Sequence, residues 1–241
     1  MIWSKKNFWK SFNVAFSDEQ QAYVIFIDDK MYHTQKGNIL KITSASLARK
    51  VHNEWQKNTE GTKEFTRSNL ALTNLIEQIN DIDDEANALY LKEVIEYAKT
   101  DLLCYRSSSP KNLRILQEKK WDPIISFYEH EFSIKMLSTT SLEYINQDKD
   151  SLDKFHGILR AYDGPSLFLV YKMSQFLSSA LLSVLLEKKL IGDEKAWRLS
   201  QLEEDWQKKI WGKDEEALKA EKSKKEAFKL VITCLRHLRK S

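Results

Sequence analysis

Apolar positions in the first forty residues follow one another in short extended runs and show no helical period. FNVAF at 12–16, AYVIFIDD at 22–29 and MYHTQKGNILKI at 31–42 are rich in aromatic and β-branched residues, and the last is hinged at Lys36-Gly37-Asn38. They predict a small antiparallel sheet, which needs a further strand or a helix to bury its face. From residue 43 the period lengthens. TSASLARKVHNEWQK at 43–57 spaces Leu47, Val51 and Trp55 four apart, behind Thr43 and Ser44 as N-cap candidates, and so predicts a helix lying on that sheet. The polar stretch from Asn58 to Thr62 reads as a boundary. It divides a small β-rich domain with one packed helix, residues 1–62, from a helical domain, residues 63–241.

Helical periodicity fills most of the remainder. Leu72, Leu75, Ile76 and Ile79 share one face within 70–82, and Leu91, Val94, Ile95 and Ala98 share another within 89–99. Ser109 and Pro110 read as an N-cap and a first helical position, and Asp122 with Pro123 repeats the device. Two consecutive helices are therefore expected on either side of Trp121, followed by a short strand at 134–137 and a polar loop. From Pro165 onward the chain is apolar on most sides, apart from Lys172, Gln175 and small serines at 178, 179 and 183, and predicts one buried central helix. Gly192-Asp193 open a helix that carries Trp197, Trp206 and Trp211 and stops at Gly212. The last helix, 214–239, is amphipathic, with Ala217, Leu218, Phe228, Val231, Cys234, Leu235 and Leu238 along its seam. Glu215–Lys219 and Glu221–Lys225 are expected as i,i+4 pairs on it. The fold class is α+β, mostly α.

Composition narrows the function classes. The 241 residues are 42% hydrophobic, enough for a buried core, while only 6 glycines and 3 prolines leave little room for turn-rich barrels or phosphate cradles. The longest uncharged run, 173–186, has 14 residues against the roughly 20 that span a bilayer, and mean hydropathy is −0.52, so membrane insertion is not expected. Residues 1–16 lack the apolar core and cleavage site of a secretory signal, which points to a bacterial cytoplasm, or to a mitochondrial matrix after presequence removal. A balance of 38 basic against 35 acidic residues gives no general field for nucleic acid. Cys104 and Cys234 stand far apart with no CxxC neighbour, which supports neither zinc nor a disulfide framework.

The candidate chemistry is sparse. TDLLCYR at 100–106 sets Cys104 two residues before Arg106, and a thiol near a cation can be a nucleophile of lowered pKa. None of the five histidines, at 33, 52, 130, 156 and 237, sits in a local setting that resembles a Cys-His enzyme, so Cys104 reads first as a small buried residue. Arg106 is then available to pair with Asp101 or Asp122. A thiol-dependent hydrolase using Cys104 is the competing reading. No GxGxxG, GxxxxGK, GxSxG or HExxH occurs. Glu203, Glu204 and Asp205 in LEEDWQ read by default as a solvated helix face, with Asp28-Asp29 and Asp83-Asp84-Glu85 as companions for a metal only by composition. Seven tryptophans are unusual: most read as core, but Trp beside charge also builds binding hot spots. WSKKNFWK at 3–10 could stack single-stranded nucleic acid, a reading that the small net charge disfavours.

TDLLCYR, Gln117, Trp121-Asp122-Pro123 and LEEDWQKKIWGKDEEA at 202–217 together resemble the F-type ATP synthase assembly chaperone family that handles the α subunit of the F1 head. SLARKVHNEWQ at 46–56 and LALTNL at 70–75 are similar to that family's amino-terminal half. Ala71, Asp29 and Gln35 depart from its usual proline, glycine and Thr-Pro, which puts the local turn geometry in question. The resemblance implies a non-enzymatic protein without cofactor, monomeric when free, that binds an unassembled α subunit until it joins β. It implies Glu203, Glu204 and Trp211 as client contacts. It also implies a structural junction built from Asp101, Arg106, Trp121, Asp122 and Gly212, with Trp211 and Gly212 fixing the turn before the final helix.

Overall fold

The computed structural model describes residues 9–59, 67–212 and 214–238. Four strands form one antiparallel sheet: β1 (Phe12–Ser17), β2 (Ala22–Ile27), β3 (Lys30–Met31) and β4 (Lys41–Ile42). β1 and β2 make a hairpin with Phe12 opposite Ile27 and Ser17 opposite Ala22, and β3 and β4 both pair with β2 at its opposite ends. The hinge expected around Gly37 is present, and Gly37 takes φ +85, a conformation that a residue without Cβ adopts at no steric cost. Asp28, at φ 48, closes the β2–β3 turn and accepts hydrogen bonds from the Lys10 and Ser11 amides at 2.8 and 3.0 Å. Its carboxylate is therefore occupied by backbone.

Helix α1 (Ala45–Thr59) packs on this sheet and buries Leu47, Ala48, Val51 and Trp55, the face read from the sequence. The Trp55 ring meets Trp9, Phe12 and Tyr32 at centroid distances of 5.9, 5.8 and 5.5 Å. Helix α2 (Ala71–Asn80) is tied to α1 by neighbouring residues. Glu54 accepts from the Leu72 and Thr73 amides at 2.7 and 2.9 Å, filling the cap that Leu70 cannot supply, and Trp55 Nε1 donates to Thr73 Oγ1 at 3.0 Å. α2 belongs to the compact unit that runs up to Asp83 and resumes at Lys229. The sequence reading had placed α2 at the start of the helical domain; the expected division at residue 62 itself lies outside the described residues.

The second compact unit runs from Asp84 to Phe228. Its helices are α3 (Asp84–Lys99), α4 (Lys111–Phe132), α5 (Lys149–Arg160), α6 (Gly164–Leu177), α7 (Ala180–Glu187), α8 (Asp193–Ser200), α9 (Leu202–Trp211) and the first part of α10 (Glu215–Leu238). α3, α5, α6 and α7 pack together around fully buried Phe168, Leu169, Leu181 and Val184, while α4 packs on α9. No described helix is long and apolar enough to cross a membrane.

Several expected boundaries move. Pro110 is the N-cap of α4, not its first helical residue. Asp122 and Pro123 start no second helix, because α4 runs through them without a break. A proline inside a helix removes a hydrogen bond and crowds the preceding turn. Buried Trp121, Ile124 and Tyr128 hold both halves in line, with Trp121 Nε1 donating to the Leu199 carbonyl at 3.0 Å and the Tyr128 hydroxyl to that of Leu181 at 2.7 Å. Residues 134–137 are irregular; nearby, only Thr139 bridges to Tyr105. The predicted central helix is two helices, broken where Ser178 takes φ 51 and Ser179 caps α7. α8 and α9 are likewise separate, divided at Gln201, so Trp197 does not share a helix with Trp206 and Trp211. Of the two pairs expected on α10, Glu221 and Lys225 find other partners: Glu221 meets Lys208 at 2.8 Å and Lys225 meets Glu194 at 3.0 Å.

Candidate functional site

The break between α6 and α7 is held by TDLLCYR. Asp101 is fully buried and caps two local starts. One carboxylate oxygen accepts from the Leu103 amide, and the other from Ser179 Oγ and the Leu181 amide, each at 3.0 Å. The Leu102 amide donates to the Ser178 carbonyl at 3.0 Å, pinning the left-handed residue. Burial raises the Asp101 carboxyl to about 6, against the lowering effect of the amide and hydroxyl donors. Cys104 lies beside it, buried. Burial first and the Asp101 charge second push the thiol far above its usual value, and Arg106 offsets this only in part. That environment keeps the thiol protonated, the reverse of what a nucleophile requires. Cys234, in the other unit, is raised to about 12 by burial and by Glu54.

Arg106 continues the junction. Of the two acids expected for it, it chooses Asp122, at 2.6 Å, while its other terminal nitrogen donates to the Leu103 carbonyl. Its guanidinium also lies 5.0 Å from the centroid of the Trp121 ring. Arg106, Trp121 and Asp122 are thus brought together at the middle of α4, and Asp101, at the α6–α7 break, joins them only through Leu103, whose amide it accepts and whose carbonyl Arg106 holds. Gly212, placed with them on sequence grounds, is instead at the end of α9, where φ +88 lets the chain turn out of the helix.

Gln117 links this junction to α9. It is fully buried on α4, accepts from the Ser107 amide at 2.8 Å and donates to Glu203 Oε1. Glu203 is half-buried, and its carboxyl is raised by burial and then by the charge of Glu204, with the Gln117 bond opposing. Its position makes it a brace for the helix. Glu204, next in sequence, is exposed. Lys208, its potential i+4 partner, is engaged by Asp205 at 3.2 Å and Glu221 at 2.8 Å instead. Glu204, Gln207 and Trp211 fall at i, i+3 and i+7, one exposed stripe about 10 Å long at 1.5 Å per residue. Trp211 is 74% exposed and Ile210 51%, and the Trp211 ring meets Trp206 edge-on at 6.3 Å. An exposed Trp and Ile beside a carboxylate with no ion pair among the described residues can hold another protein by packing plus charge.

Sequence reasoning groups Glu203 with Glu204, and the structure gives them different surroundings, Glu203 held by Gln117 and Glu204 exposed. It also missed Ser179, whose hydroxyl is buried against Asp101, and Glu54, which caps α2. A serine inside an apolar run and an acid beside a tryptophan were visible signals, but neither names its partner. Among the described residues no three His, Cys, Asp or Glu side chains gather where they could hold a metal.

The comparisons agree with this architecture. The chain is 23% identical over 225 residues to Protein atp12, mitochondrial, of Schizosaccharomyces pombe, covering 89% of this chain and 76% of that one. Its fold matches the crystal structure of the Atu1473 protein from Agrobacterium tumefaciens with a TM-score of 0.83 at 24% identity, over 98% of this chain and 87% of the other. It matches Atp12 from Paracoccus denitrificans with a TM-score of 0.80 at 22% identity, over 96% and 97%. The model of the ATP12 chaperone protein family matches residues 6–129, just over half of the chain, and so this chain belongs to the ATP12 family, the chaperones of F1-ATPase assembly.

Proposed function

We propose that this chain holds the unassembled α subunit of the F1 head, without catalysis, and shields the surface that β will later cover. A subunit of a ring exposes apolar interface before assembly, and such surface aggregates. The observation that carries the reading is the stripe on α9, where Glu204 and Trp211 stand exposed on a helix braced from behind by the Gln117–Glu203 hydrogen bond. Trp211 supplies the apolar anchor and Glu204 the rim charge that sets register. The buried, protonated Cys104 is a packing residue in this account. The compartment is the one where F1 is built: the bacterial cytoplasm, or the mitochondrion, which is named for the Schizosaccharomyces pombe relative. Co-expression with F1 α and, separately, with F1 β tests the proposal. Selective capture and solubilisation of α is the expected result; capture of β alone, or of neither, overturns it.

A further inference from the structure

Helix α6 is apolar on nearly every side, and its two long polar side chains, Lys172 and Gln175, share a face with Phe168 and Tyr171 at i, i+3, i+4 and i+7 spacing. α3 packs against α6 and turns Tyr90, Glu93 and Tyr97 toward the same seam. The rings interlock. Tyr90 stacks on Tyr171 at 5.1 Å with 21° between planes and lies 5.2 Å from Phe168, while Gln175 Nε2 donates to the Tyr171 hydroxyl at 2.8 Å. Leu89, 52% exposed, directly precedes Tyr90 on α3. Tyr90 and Tyr171 are half-buried, and tyrosines fixed by stacking near the surface are residues that interfaces concentrate.

The ammonium in this seam has no carboxylate partner among the described residues. Lys172 Nζ sits 5.4 Å from the Phe168 centroid and 5.8 Å from that of Tyr171, and makes no ion pair among the described residues. Arg106 on Trp121 and Lys225 on Trp197 are placed over rings in the same way and each also holds a carboxylate of this chain, whereas Lys188, over Phe132 and Tyr162, shares with Lys172 the lack of an ion pair among the described residues. Burial lowers the Lys172 pKa, which marks its charge as partly desolvated. Glu93 faces Tyr171 and does not reach Lys172 within ion-pair distance. A partly dry cation on an aromatic bed gains most from an incoming carboxylate, because the desolvation cost is already met in the free protein.

We propose that the α3–α6 aromatic seam is a second docking surface, distinct from α9, that takes an acidic segment of the escorted F1 subunit, its carboxylate on Lys172 and an adjoining apolar side chain on Leu89, Tyr90 and Tyr171. The proposal rests on the reading that this chain holds the α subunit. The test measures binding of refolded F1 α subunit to the full chain and to Lys172→Glu, Lys172→Met, Lys172→Arg and Tyr171→Ala, at low and moderate salt, with circular-dichroism melts for each. Expected are a loss of about tenfold for Lys172→Glu and Tyr171→Ala, a shallower salt dependence for Lys172→Met, and near-normal binding for Lys172→Arg. Folded Lys172→Met and Tyr171→Ala chains that bind α like wild type, with unchanged salt dependence, overturn this surface while leaving α binding intact. A wild-type chain that fails to bind α at all removes the client and this docking site together. A wild-type dimer that Lys172→Glu dissolves assigns the seam to a second copy of this chain and also overturns the proposal.

Discussion

Replacing Asp101 by Asn tests whether the buried carboxylate organises the helix break. The carboxamide keeps the oxygen that serves the Leu103 amide but turns an NH2 group toward the Leu181 amide, which then loses its acceptor, while Ser179 must reorient. One unsatisfied buried donor costs about 1–3 kcal/mol. A pH signature separates this from generic damage. Burial raises the folded carboxyl from its usual 3.8 to about 6, so the folded chain binds the proton more tightly than the unfolded chain. The stability from this group is fully present below pH 3.8 and is lost as pH rises through 6. The whole effect is about 3 kcal/mol, of which about 2 kcal/mol falls between pH 4.5 and 7.5. Asn does not titrate. Urea denaturation of both proteins across that range, followed by circular dichroism at matched salt, should show the variant's deficit largest at pH 4.5 and smaller by about 2 kcal/mol at pH 7.5. A deficit that is flat across the range, or that grows toward pH 7.5, refutes the assignment of Asp101 as a desolvated junction carboxylate.

Three further outcomes are expected. Glu204→Lys keeps the wild-type melting temperature, since the side chain is exposed, but loses α-subunit solubilisation on co-expression; normal α solubility with this variant removes Glu204 from the contact. Gln117→Ala strips the Ser107 amide and Glu203 of their buried partner and should lower unfolding free energy by about 2–3 kcal/mol; a denaturation midpoint within error of wild type contradicts the brace. Cys104→Ser leaves α solubilisation close to normal, and in the native wild-type chain Cys104 resists alkylation at neutral pH until denaturant is added; rapid native labelling would show that the thiol is neither buried nor protonated as described.

The extent of the fold that was legible follows from what kind of information each feature needs. The Leu47, Val51, Trp55 stripe and the aromatic strands report their own structure, because a period of four or a short β-branched run is a local property. Pro123 misled for the same reason. In sequence it is a helix start, but Trp121, Ile124 and Tyr128 pack on both sides of it, and Trp121 and Tyr128 find carbonyl partners 78 and 53 residues away. Ser178 and Ser179 misled in the opposite sense, since nothing local breaks that apolar run. The break is made by Asp101, which arrives from 78 residues earlier and supplies Ser179 with a buried acceptor. At the candidate site, LEEDWQ showed its carboxylates, yet Gln117 decides that Glu203 is a brace and Glu204 a free edge.

The sequence alone determined the α+β class, the faces of the amphipathic helices and, through motifs recurring in order, the family. Those depend on side-chain type and spacing, which the chain carries from the start. Only the tertiary structure decided where helices break, which of two adjacent acids is exposed and that Cys104 stays protonated. Each of these is a matter of solvation and of partners far away in the chain, and burial assigns them only once the chain has closed on itself.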